Sequence, residues 1–196
     1  MIDTSTDSSE TSSDLACGPL VQLFNRTFAD SSNTRLLAGG EEPLYLPAGV
    51  AEEGLPAEDH HRIVFTRDYF ASALHEVAHW CVAGAERRLQ LDYGYWYLPD
   101  GRNAEQQQTF ELVEVKPQAL EWLFSVASGQ PFKVSADNLT LGQGPSEQFK
   151  SRIHQQALDH CRNGVNSRAR AFADALAAFY GTANAFDPVH YDRNRL

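Results

Sequence analysis

The sequence has few of the features that would indicate a secreted or membrane-spanning protein. It contains only 3 cysteines in 196 residues. They are far apart and form no CxxC pair, which argues against a disulfide framework or a cysteine zinc knuckle. No run of about 18 apolar residues occurs, and the first residues lack the basic and apolar regions of a signal peptide. We therefore expect a cytoplasmic protein that does not span a membrane.

Positive charge is also scarce. Lysine and arginine total 16 against 26 acidic residues, so the formal net charge is -10. This is the wrong sign for binding a phosphate backbone, and we expect no nucleic-acid partner. A hydrophobic content of 42% is sufficient for a substantial core, and the length favours one domain.

The order of predicted elements indicates an α+β fold in which helices dominate over a small mixed or antiparallel sheet. Residues 1 to 14 are almost all polar, which predicts a disordered tail before a single domain at residues 15 to 196. A strand is predicted at residues 62–65, a loop at 39–43 and an acidic surface loop over 41–61. Apolar periodicity and capping residues predict a first helix at about 20–29 and later helices at about 68–83, 102–128 with an interruption at Pro117, 145–163 and 167–180.

One motif carries most of the chemical information. His75 and His79 lie four residues apart in the predicted helix 68–83, and Glu76 directly follows the first of them. Side chains at positions i and i+4 project from the same helix face, so the two imidazoles can bind one metal ion. Glu76 can lie beside a metal-bound water without binding the metal, as in the HExxH helix of zinc peptidases. The plainer alternative, two histidines in an apolar core, leaves both imidazoles in need of hydrogen-bond partners.

A third ligand should come from another element, because two imidazoles rarely complete a metal site. The predicted helix 102–128 offers Glu105, Glu111, Glu114 and Glu121. We choose Glu114, because it lies among apolar neighbours one turn before Pro117 and needs a compensating partner if buried. Glu111 competes with it as the ligand, and is otherwise a partner for an imidazole N–H or a contact for the substrate.

Tyrosines recur at every second position after the motif: Tyr93, Tyr95 and Tyr97 alternate with Gly94 and Trp96. This is the period of an extended strand. The strand could be an edge that receives an extended substrate, which would make Tyr95 and Tyr97 substrate-binding residues. It could equally be a half-buried strand with one aromatic face, and the pattern does not separate the two.

From residue 33 to about residue 140, the chain closely resembles the bacterial elongation factor P hydroxylases. The segments that carry the resemblance are ALHEVAHWC at 73–81, DYGYWY at 92–97, PDGR at 99–102, VEVKPQALEW at 113–122, PF at 131–132 and DNL at 137–139, with NTRL at 33–36 and EPLYLP at 42–47 upstream. The resemblance weakens towards both ends of the chain.

The resemblance implies a zincin-like domain that hydroxylates a modified lysine, already carrying a β-lysyl group, on elongation factor P. It further implies an oxygen-dependent enzyme with ferrous iron held by His75, His79 and Glu114. We expect a monomer. Zinc or another divalent metal can occupy such a site in a purified sample, because zinc outcompetes ferrous iron for nitrogen and oxygen ligands.

Two other functions remain open at this point. Taken without the resemblance, HExxH with a distant glutamate is typical of a zinc metallopeptidase of the gluzincin type, in which Glu76 would deprotonate a zinc-bound water. The ligand set is the same in both enzymes and does not decide the reaction. A noncatalytic binder of elongation factor P with a structural metal is the second alternative.

Overall fold

The computed structural model describes residues 16–52, 54–92, 102–136 and 144–196. The tail predicted at 1–14 and the strand predicted at 93–97 lie outside these ranges. In chain order the elements are α1 (Cys17–Phe28), β1 (Thr34–Gly40), β2 (Leu44–Leu46), β3 (His61–Thr66), α2 (Phe70–Val82), α3 (Ala104–Ser128), α4 (Glu147–Asn163) and α5 (Ser167–Tyr180), with short 3-10 turns at Arg87–Leu89, Pro188–His190 and Arg193–Arg195. The predicted fold class, α+β with mostly helix and a small mixed sheet, is confirmed.

The sheet has three described strands in the order β1-β3-β2. Strand β1 runs parallel to β3, whereas β2 runs antiparallel to it. Alternate side chains of β3 enter different clusters: Ile63 and Phe65 belong to the main core, and Val64 packs with Leu44 and Leu46 of β2. The central strand is therefore covered on both faces, as its apolar sequence requires.

The sequence analysis predicted β3 but missed β1 and β2. It interpreted Gly39 and Gly40 as part of a loop, whereas both lie in the last part of β1. Gly40 is needed for a close approach of the chain rather than for a turn, because a Cβ there would lie 2.7 Å from the carbonyl oxygen of Glu42 and 2.9 Å from a methyl carbon of Val64. With only three residues, β2 is too short for alternation to be recognised.

Helix α2 lies against the main core. Its apolar residues Leu74, Val77, Ala78 and Trp80 are buried, and the helix contacts β3, α3, α1 and α5. Aromatic side chains from four helices pack together beneath it in edge or tilted contacts; they are Phe24, Phe28, Trp80, Phe124 and Phe172. Because the apolar face of α2 faces this core, its polar motif residues occupy the remaining face.

Helix α3 is 25 residues long and continues through Pro117, so the predicted interruption there is wrong. It begins at a capping box formed by Asn103 and Gln106 and ends at Gly129, which has a left-handed φ of 73°. Its second half is buried on two sides, because Leu123 packs in the main core and Trp122 packs against α4. Burial on both sides fixes the rotation of α3 about its axis and thereby the direction in which its glutamates point.

The end of α2 is held by α5. A terminal nitrogen of Arg168 donates hydrogen bonds to the carbonyl oxygens of Trp80, Cys81 and Ala83, at 3.3, 3.0 and 2.7 Å. These are carbonyls at a helix C-terminus, which have no partner within the helix. The arginine therefore anchors the last turn of α2, in which His79 lies.

Among the described residues, no helix combines the length and apolar composition needed to cross a membrane.

Candidate metal centre

The two histidines of α2 point towards each other. Their Nε2 atoms lie 2.9 Å apart, and their ring centroids are 4.5 Å apart with an angle of 72° between the planes. Both side chains are about four-fifths buried. This is the convergence that the i, i+4 spacing of His75 and His79 predicts.

The carboxylate of Glu114 comes from α3 to the same point. Its Oε1 lies 3.3 Å from Nε2 of His79, and its Oε2 lies 3.8 Å from Nε2 of His75. Glu114 is 1% exposed, and its Oε1 is buried without a hydrogen-bond partner in the part of the chain that the structure describes. One ligand atom from each of the three residues lies within 4.8 Å of the other two. A buried carboxylate oxygen facing two imidazole nitrogens is satisfied by a metal ion, so this donor set fits one.

A second glutamate of α3 contacts His75 from the opposite side of the ring. The Nδ1 atom of His75 donates to Oε2 of Glu121 at 2.7 Å. Because Nδ1 keeps its proton for Glu121, a metal ion that displaces the proton of Nε2 meets the lone pair of that nitrogen. The sequence analysis named Glu121 only as one of four possible third ligands. Its spacing of seven residues from Glu114, about two helical turns, was the signal that both share a face of α3.

Glu111 lies elsewhere. Its two carboxylate oxygens accept hydrogen bonds from the backbone nitrogen and the hydroxyl of Ser146, at 3.1 and 2.6 Å. Ser146 is the N-cap residue of α4. Glu111 thus stabilises the start of α4. The sequence analysis considered it as a partner for an imidazole N–H, but in the structure that partner is Glu121.

Comparison with known proteins identifies the family. The family model described as Elongation factor P hydroxylase matches residues 23–189. A protein of Haemophilus influenzae named Elongation factor P lysine hydroxylase is 44% identical over 173 residues, which are 88% of this chain and 94% of the relative. The chain belongs to the elongation factor P hydroxylase family. The resemblance found in the sequence is thereby confirmed, and the matched range includes every described residue of the candidate site.

Glu76 is half-buried in this member of the hydroxylase family. Burial raises the pKa of its carboxyl group; the neighbouring carboxylates Glu114 and Glu121 add to the rise, and the two histidines oppose it. A carboxyl group with a raised pKa releases its proton less readily than an exposed one and can exchange a proton with a bound water. Its predicted catalytic role stays a prediction. Two of the predicted substrate-binding residues, Tyr95 and Tyr97, lie outside the described residues.

The charges of the site are strongly coupled. Burial lowers the pKa of His75, but the carboxylates of Glu121 and Glu114 outweigh it and raise that pKa well above its ordinary value. Burial favours protonation of Glu114, but His79 and His75 outweigh it and lower the pKa of Glu114 to about 2. Glu114 is therefore ionised at any physiological pH, as a metal ligand must be.

Proposed function

We propose that this protein hydroxylates a lysine-derived side chain of elongation factor P, using oxygen and ferrous iron held by His75, His79 and Glu114. Membership of the hydroxylase family supports the reaction and the substrate. The observation that carries the site assignment is the convergence of two imidazole nitrogens and one buried carboxylate oxygen at a single point.

Two imidazoles and one carboxylate form the ligand set of non-haem iron oxygenases, and they leave open positions for further ligands. Ferrous iron bound there would pass electrons to oxygen, which zinc and amino-acid side chains cannot do. Because one oxygen atom enters the C–H bond and the other leaves as water, each turnover would also consume two electrons from a separate reductant. Zinc is nevertheless expected in some purified samples, because it binds nitrogen and oxygen ligands more tightly than ferrous iron does. Metal content alone therefore does not identify the working metal.

The residues around the ligands have separate roles in this proposal. Glu121 holds the His75 ring in one orientation and keeps Nε2 free of a proton when metal is bound. Glu76 follows His75 directly and is half-buried, and it orients a water or substrate group by hydrogen bonding. Transfer of a proton by Glu76 is a second role that its raised pKa permits.

The zinc peptidase alternative shares the ligand set but finds no support in the family match. The two activities differ in the metal they need and in their product. A peptidase would cleave a peptide bond with zinc and without oxygen, whereas the proposed enzyme needs both ferrous iron and oxygen.

We further propose that the protein acts as a monomer in the cytoplasm, where a translation factor is found.

Mass spectrometry of the product tests the function. Elongation factor P carrying the β-lysyl-lysine is incubated with the metal-loaded protein, excess ferrous iron, ascorbate as the source of two electrons per turnover, and air. It should gain about 16 Da on the modified side chain. Matched reactions without oxygen, with zinc in place of iron, or with His75→Ala should show no gain. The Glu105→Gln variant serves as a positive control, because Glu105 is exposed on the first turn of α3, away from the candidate ligands. No mass gain with the wild-type protein under iron and air, or cleavage of the substrate with zinc, would refute the proposal.

A further inference from the structure

The side-chain amide of Gln118 is hydrogen-bonded at both its nitrogen and its oxygen to other residues of the protein. Gln118 is fully buried on α3, one turn after Glu114. Its Nε2 donates to the carbonyl oxygen of Ser135 at 2.8 Å and to Oε2 of Glu114 at 3.2 Å. Its Oε1 accepts from the backbone nitrogen of Ser135 at 3.1 Å. A buried amide with both ends bonded is held in one orientation.

These bonds also determine which end of the amide faces the candidate ligand. The backbone nitrogen of Ser135 can only donate, so it must meet Oε1 of Gln118. Nε2 then has to face Glu114. The amide thus donates to one carboxylate oxygen, Oε2, and leaves the other, Oε1, 3.3 Å from Nε2 of His79.

Through Gln118, the candidate ligand Glu114 is connected to residues 130–136. Residues 130–136 have no regular secondary structure and are hydrogen-bonded to α3 and the residues before it. The carbonyl oxygen of Ala136 accepts from Arg102 at 2.7 Å and from Gln107 at 3.2 Å. Gln107 and Gln118 are both glutamines that bind the backbone of this segment. Gln107 accepts a hydrogen bond from Nε of Arg102 at 2.9 Å, whereas Gln118 donates one to the candidate ligand Glu114.

We propose that Gln118 is a positioning residue for the metal centre: its amide holds Oε2 of Glu114, so that Oε1 is the oxygen presented to the ion. The inference rests on the metal centre of the proposed function and extends it to a residue that does not touch the metal. Partners that hold a metal ligand in place typically change metal affinity by about 10- to 100-fold when they are removed.

A merely structural role predicts a different result. If Gln118 only fastens residues 130–136 to α3, its removal should lower the stability of the fold, and the removal of Gln107 should have a similar effect. If Gln118 positions Glu114, its removal should change the metal site itself, and the removal of Gln107 should not.

The experiment compares Gln118→Leu with the matched control Gln107→Leu. Cobalt(II) is titrated into each full-length metal-free protein, and its binding affinity is measured. The visible absorption of the bound cobalt is recorded as well, because it reports the ligands of the ion. Thermal unfolding of the metal-free form measures the stability of each variant. We expect Gln118→Leu to bind cobalt about 10- to 100-fold more weakly and with an altered spectrum. Gln107→Leu should stay within about twofold of wild type with an unchanged spectrum.

Two outcomes would overturn the inference: wild-type affinity and spectrum in Gln118→Leu, or equal losses of affinity in both variants. If Gln118→Leu does not fold, Gln118→Met takes its place, because methionine keeps the length of the side chain but has no donor for Glu114. Cobalt affinity and the absorption spectrum then test the inference in the same way. Because no substrate is involved, the result is independent of whether the protein hydroxylates elongation factor P.

Discussion

The Nδ1 atom of His75 lies 2.7 Å from Oε2 of Glu121, and this contact connects the two helices that build the candidate metal centre. His75 belongs to α2 and Glu121 to α3. A histidine with one nitrogen bonded to a carboxylate offers the other nitrogen in a fixed direction. The pairing therefore makes the position of one ligand depend on the packing of both helices.

Loss of the Glu121 charge should weaken metal binding although Glu121 is not itself a ligand. In Glu121→Gln the side chain can still accept from Nδ1 of His75, but the negative charge that makes the imidazole a better ligand is absent. We expect cobalt or zinc to bind about 10-fold or more weakly, measured by competition with a chelator. Glu105→Gln, on the exposed first turn of α3, is the control and should bind as wild type does. Equal affinity in Glu121→Gln and wild type would contradict this.

Two glutamates one turn apart on α3 should behave differently. Glu114→Gln removes the charged oxygen that faces His79 and should weaken metal binding by more than about 100-fold, beyond what indirect partners cost. Glu111→Gln should leave metal affinity unchanged. It should cost about 1 kcal/mol of folding free energy, because Glu111 binds the N-cap residue Ser146. Metal titration and chemical denaturation of both variants check this, and the reverse pattern would identify Glu111 as the ligand.

Metal affinity should rise with pH across the neutral range. The raised pKa of His75 means that the metal-free protein still holds a proton there above its ordinary pKa of 6.5. A metal ion must displace that proton, so binding strengthens as the pH rises towards the raised pKa and levels off above it. Calorimetry at about pH 7.5 in two buffers of different ionisation enthalpy measures the protons released. Glu121→Gln should release fewer, and an affinity that does not vary with pH would contradict the assignment.

The anchor at the end of α2 should matter for stability. Arg168→Ala removes the donor to three helix-end carbonyls and should lower the free energy of unfolding by about 2 to 3 kcal/mol. The matched control is Arg170→Ala, two residues along the same helix, where the arginine is exposed, pairs with Asp174 and lies 4.5 Å from the ring centroid of Phe186. Exposed contacts of these two kinds together contribute about 1 kcal/mol. Urea denaturation of both variants distinguishes the two losses, and similar values would show that the bonds of Arg168 are not important.

The helices were more predictable than the sheet. Helix α5 has the bounds 167–180 that its capping residues predict, and the predicted ends of α2, α3 and α4 differ from the structure by no more than two residues. Helical periodicity and caps are local signals, so a single sequence contains them. Strand β2 has only three residues and is followed by proline, and β1, although seven residues long, ends in two glycines. Only pairing with β3 makes them strands, and that pairing is not local.

The candidate site, like the fold, was predictable where the signal is local and not where it depends on packing. The sequence by itself determined that His75 and His79 would converge, because positions i and i+4 share a face of any α-helix. It also narrowed the third ligand to the glutamates of one helix. Only the tertiary structure decided that Glu114 faces the histidines, that Glu121 supports His75, that Gln118 holds Glu114, and that Glu111 faces α4. The reason is physical: the direction of each α3 side chain depends on how that helix is rotated between α2 and α4, and packing on both sides sets this rotation.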